Sequence, residues 1–77
     1  MKQLSACASD VLDVLRKHKD GLQLWELHRE LPQYPSSSFQ IDEATFELFR
    51  KCEIMTGMQR KDKWGRMRAV YVALETC

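Results

Sequence analysis

Residues 60–68 read RKDKWGRMR and set five cationic side chains, Arg60, Lys61, Lys63, Arg66 and Arg68, within nine positions. Trp64 stands among them, and Asp62 is the one acid in the run. Cations at this density neutralise phosphates and gain by releasing counterions. An indole in the same run can stack on an unpaired base or a guanine tetrad. The chemistry on offer is polyanion binding. The plainer alternative is a solvated turn whose charges keep an edge strand soluble, with Trp64 folded back on the core.

A second cationic group, Arg16, Lys17, His18 and Lys19, follows an apolar helical stripe. Positive charge there suits the negative end of a helix dipole. Lys17 and Lys19 would also join the first cluster in one nucleic-acid surface if the fold brings the two together. The net charge of +1 conceals a division between the halves. Residues 1–49 hold five basic against eight acidic side chains, a net of −3, and residues 50–77 hold seven against three, a net of +4. Such a split suggests one face made for a polyanion or an acidic partner.

Other chemistries find little support. His18 and His28 are ten residues apart and lack the Ser or Asp spacing of a triad. Cys7, Cys52 and Cys77 are odd in number and show no metal-binding spacing, so they read as free thiols in a reducing compartment. There is no glycine-rich phosphate loop. The expectation is a protein that is not an enzyme and takes no cofactor, metal or small-molecule substrate. No apolar run approaches the roughly 18 residues of a membrane span, and Ser5, Ser9, Asp10 and Asp13 interrupt any signal-like start. The chain is expected inside the cell, without a membrane partner.

The elements that must position these residues fit one domain of 77 residues. A chain this short buries only about 60% of its unfolded surface, so its core is small. Leu4, Ala8, Val11, Leu12 and Leu15 form one helical stripe, and Asp20-Gly21 stops it. Leu22 reads as a short extended bridge. Leu24, Leu27, His28 and Leu31 share the face of a two-turn helix that Pro32 ends. Residues 32–40 form a polar turn region, with Tyr34 and Phe39 expected to staple it to the helices. Asp42 is the expected N-cap of a third helix, with Glu43 in its first turn and Ala44, Phe46, Phe49 and Leu48 on its buried side.

From Ile54 the period changes to that of a strand. DKWGR, 62–66, is a turn with Gly65 at its tight point, and MRAVYVALE, 67–75, alternates with Val70, Val72 and Leu74 on one face. Arg68 shares that parity and lies at the solvent end. Three helices followed by an antiparallel hairpin give an α+β fold of the winged helix-turn-helix plan, with the basic turn at the tip of the wing.

VLDVLRKHKDGLQLWELHREL, 11–31, resembles the opening of LOTUS domains, also called OST-HTH domains. The shared features are His18, Lys19, Asp20 and Gly21, then Leu22, Gln23, Leu24 and Leu27, and the closing AVYVAL, 69–74, is similar to that family's last strand. The chain departs from the family before the third helix, where SFQIDEATF replaces an LGF-like signature. The resemblance implies a winged-helix module from a larger protein that binds RNA, including guanine-rich folded RNA, in post-transcriptional regulation. It implies a cytoplasmic setting such as germ granules, with the nucleus as an alternative. An extended subtype binds a DEAD-box helicase through an added C-terminal helix. The sequence stops at Cys77, soon after the last strand, which favours the RNA-binding type.

Two competing functions remain open. A protein-interaction winged helix would use the second and third helices, where Glu26, Glu30, Asp42, Glu43 and Glu47 suit a basic partner and Trp25, Tyr34 or Phe39 suit an apolar one. A duplex-DNA reader would insert the third helix in the major groove. The carboxylates at its start would repel phosphate, leaving Arg50, Lys51 and the wing for backbone contacts. Trp25 is expected partly buried, and Met55, Met58 and Met67 in the core or on the hairpin surface.

Overall fold

The hydroxyl of Ser5 accepts the Ala8 N–H at 3.2 Å and opens α1, Ala6–Lys17. The computed structural model describes residues 4–74, and Glu75 and Cys77 lie outside them. The predicted stripe holds: Ala8, Val11, Leu12 and Leu15 are buried, joined by Cys7. Arg16 and Lys17 occupy the last turn, where the dipole favours them.

The chain reverses at Gly21, whose φ is +87°. A Cβ there would lie 2.4 Å from Val70 Cγ1 and 2.8 Å from the Tyr71 carbonyl oxygen. Both the backbone conformation and the space therefore require glycine. Leu22 next exchanges two backbone hydrogen bonds with Tyr71, at 3.0 and 2.8 Å, and adds a one-residue strand to the sheet.

α2, Leu24–Glu30, buries Leu27, and Leu31 is buried just beyond it. The connection to the third helix is fixed by Tyr34. Its hydroxyl donates to Asp10 Oδ2 at 2.6 Å, and that bond, with burial and the Asp10 charge adding, pushes the phenol up to about 12. Tyr34 thus staples the loop as expected. Phe39 does not: it is 61% exposed.

α3, Gln40–Arg50, starts two residues before the expected cap. Phe39 is its N-cap, in a left-handed conformation with φ 58° and ψ 16°, and Asp42 lies within the first turn. The cause is Ile41, which is completely buried and must be helical to share a face with Ala44, Thr45 and Leu48. This rotates the helix relative to the expected register. Phe46, assigned to the core, is 67% exposed, and Phe49 is only partly buried.

β1, Ile54–Lys61, and β2, Met67–Ala73, pair antiparallel as predicted. The register slips between Thr56 and Met58, so Gly57 forms a bulge. β2 is the inner strand, flanked by β1 and by Leu22. Tyr71 and Ala73 pack on the helical core, with the Phe49 and Tyr71 rings 5.6 Å apart. Val70 and Val72, of the opposite parity, lie against the Gly21 backbone. Met55, Met58 and Met67 are exposed on the hairpin. Three helices and an antiparallel hairpin make an α+β fold in the element order of the winged helix.

Candidate nucleic-acid interface

The turn at the hairpin tip is organised by the acid that stands among its cations. Asp62 Oδ1 accepts the backbone N–H groups of Trp64 at 2.8 Å and Arg66 at 2.9 Å. Its Oδ2 takes the Arg68 Nε at 3.2 Å, and the side chain is fully buried. Burial pushes this carboxyl up, but the two N–H donors and the guanidinium together outweigh it, so the acid stays ionised below its ordinary range. Gly65, with φ +81°, closes the loop through its N–H to the Asp62 carbonyl at 3.1 Å.

The five clustered cations therefore divide. Arg68 is held by Asp62. Arg60 donates to Glu26 Oε1 at 2.9 Å and to the Gly21 carbonyl at 3.3 Å. Both remain exposed to solvent, but each is tied to a carboxylate. Arg60 is anchored because Glu26 already accepts the Gln23 N–H at the start of α2, 3.0 Å away, leaving a carboxylate aimed at β1. Lys61, Lys63 and Arg66 are exposed at the tip.

Trp64 is neither buried nor free. It is 64% exposed and meets Trp25 edge to face, ring centroids 6.2 Å apart. The Lys63 ammonium lies 4.5 Å from the Trp64 ring centre and 5.0 Å from that of Trp25. Arg29, four residues after Trp25 on α2, puts its guanidinium 5.1 Å from the Trp25 ring. Trp25 is half-buried as expected, but its partner is the wing rather than the helical core.

Gln23 joins the two elements. Its buried side chain donates to the Arg60 carbonyl, reaches the Arg68 carbonyl at 3.5 Å, and accepts the Trp25 indole N–H at 2.6 Å. Gln23, Trp25, Glu26 and Arg29 were missed as members of this surface. Two local signals point to them: Gln23-x-x-Glu26 is a capping pattern, and Trp25 with Arg29 is an i, i+4 cation–aromatic pair.

Lys17 and Lys19 are exposed at the end of α1 and in the turn after it. That turn leads to Gly21, whose carbonyl Arg60 contacts, so the chain after Lys19 runs beside the hairpin. α3 presents Phe39 and Phe46 to solvent, with Asp42 and Glu43 in its first turn. His28 Nε2 lies 3.8 Å from Asp42 Oδ1, and neither His28 Nδ1 nor Asp42 Oδ1 has a hydrogen-bond partner. Among the described residues no cluster of three or more His, Cys, Asp or Glu side chains is placed to hold a metal, and no helix is long and apolar enough to cross a membrane.

Comparison with family models, with curated proteins and with solved structures found no match. The likeness to OST-HTH domains accordingly rests on the residues quoted above.

Proposed function

We propose that this chain is an RNA-binding module that engages unpaired or folded RNA through the hairpin tip and α2. One observation carries this reading: Lys63 sits over two indoles, one of them largely exposed, between two further exposed cations. Cation and π-face together serve a nucleotide, whose phosphate and base need different partners. Duplex DNA is a poorer fit, because α3 offers Asp42, Glu43 and Phe46 where a major-groove reader offers donors. The OST-HTH resemblance supports the same reading and suggests a role in post-transcriptional regulation.

The test is fluorescence anisotropy with guanine-rich folded RNA, unstructured RNA and duplex DNA at two salt concentrations. RNA should bind more tightly than duplex DNA. Replacing Lys61, Lys63 and Arg66 together by Ala should weaken RNA binding about 100-fold and reduce the salt slope by about 2, at roughly 0.7 per phosphate contact on a single strand. Arg60 and Arg68 are left intact because each is already paired with a carboxylate. Unchanged affinity in the triple variant would refute this interface.

A second reading has its own support. Phe39 and Phe46 are both exposed, and Phe39 holds a strained left-handed backbone conformation. A basic, apolar protein segment would complement them and the neighbouring carboxylates. Binding of such a partner without RNA, lost on Phe46→Ala, would favour this role.

A further inference from the structure

A cavity of about 350 Å3 opens between α2 and the hairpin tip. Trp25 and Trp64 contribute rings to its wall, Leu24 an apolar surface, and Gln23, Asp62 and Arg68 the polar groups. Its volume exceeds that of a single nucleobase and is far below that of a folded tetrad stack. The two indoles meet at a 69° angle, which makes a corner rather than a flat platform.

Most polar groups of the wall are already engaged. Both Asp62 oxygens are occupied, Oδ1 by two backbone N–H groups and Oδ2 by Arg68. The Gln23 oxygen takes the Trp25 indole, and its amide nitrogen is directed to backbone carbonyls. His28 also lines the cavity, but its Nδ1 is closed to solvent. The Arg68 Nε is fixed by Asp62, which orients the guanidinium and leaves its terminal amino groups to other acceptors. Of the charged and amide groups on the wall, the one left to a ligand is thus a donor, and the Tyr71 hydroxyl beside it can donate or accept.

We propose that this cavity takes one unpaired RNA base with a carbonyl on its presented edge, uracil or guanine, in preference to adenine or cytosine. The proposal rests on the RNA-binding reading above and specifies it. Uracil offers O4, and guanine offers O6 beside N7, to a guanidinium. Adenine and cytosine put an amino donor at the equivalent position. The base lies against the Trp25–Trp64 corner with Arg68 reading its edge.

Plain stacking on an exposed indole would give a different order, because the larger purine ring stacks more strongly than a pyrimidine. Octauridylate and octaadenylate therefore separate the two modes, and neither folds into guanine tetrads. Wild-type protein should bind octauridylate about fivefold more tightly than octaadenylate, the low end of one specific base contact. Arg68→Lys keeps the charge but loses the planar fork, and should bring the ratio below about twofold. Equal binding, or tighter binding of octaadenylate, by the wild-type protein would overturn the keto-base pocket while leaving RNA binding intact. No binding to either oligonucleotide at low salt would overturn the keto-base pocket, and no binding to guanine-rich folded RNA as well would overturn the RNA-binding reading with it. The wild-type comparison decides the matter even if Arg68→Lys fails to fold.

Discussion

Trp64 at the hairpin tip and Phe46 on α3 are almost equally exposed, at 64% and 67%. Their surroundings are opposite. Trp64 lies beneath an ammonium, touches a second indole and is followed by Arg66. Phe46 stands on a helix whose first turn carries Asp42 and Glu43. Exposure alone does not tell what an aromatic side chain is for. The charge around it decides which ligand it can meet, and here one exposed ring stands among cations and the other on a helix that opens with carboxylates.

The sharpest way to break this comparison is to remove what holds both regions in one fold. Gly21→Ala adds a methyl group where Val70 and the Tyr71 carbonyl already sit, at a φ that favours glycine. The left-handed strain alone is about 1–2 kcal/mol, and the clash adds to it. A loss of at least about 2 kcal/mol is expected in urea unfolding. A loss below about 0.5 kcal/mol would mean the α1–α2 turn adjusts freely and does not seat the hairpin.

Trp64→Ala comes next. Base–aromatic stacking is worth about 1–3 kcal/mol, so RNA affinity should fall about tenfold. Phe46→Ala should change RNA affinity less than about twofold and stability by less than about 0.5 kcal/mol, as for a surface substitution. Equal losses in the two variants would erase the distinction between the faces.

The smallest effect is acidic. Asp62 has a lowered pKa in the folded chain, so its contribution is present above the unfolded value, about 4, and is lost as pH falls below it. Glu47 behaves alike. The backbone N–H of Ser5 is the main cause there, with Lys51 helping, and together they outweigh burial. Asp62→Asn should therefore flatten the acid limb of the melting profile and loosen the tip. Glu47→Gln should flatten it without altering RNA binding. A profile unchanged by Asp62→Asn would show that the turn does not depend on that charge.

The sequence made the hairpin, its turn and the α1 stripe legible, because each carries a local period or a turn residue. It misled at α3. Phe46 and Phe49 suggest an apolar side, yet Ile41, Ala44 and Leu48 form the face that the small core accepts. Two helical faces competed there, and tertiary packing decided between them. The cationic cluster was legible as a cluster, but its division was not. That Arg60 and Arg68 are each tied to a carboxylate depends on Glu26, far away in sequence, and on an Asp62 whose burial no charge count reveals. The second indole was hidden for the same reason, since Trp25 and Trp64 meet only after α2 docks on the hairpin.

The Leu22 bridge has a consequence for self-association. Because Leu22 covers one side of β2 and β1 covers the other, the outer edge of β1 is left for a further strand. That edge is interrupted by the Gly57 bulge and ends in Arg60 and Lys61. A second copy approaching it would meet a broken hydrogen-bond ladder and like charges, both of which oppose sheet growth. Copies of the domain crowded together are therefore kept from polymerising through this edge.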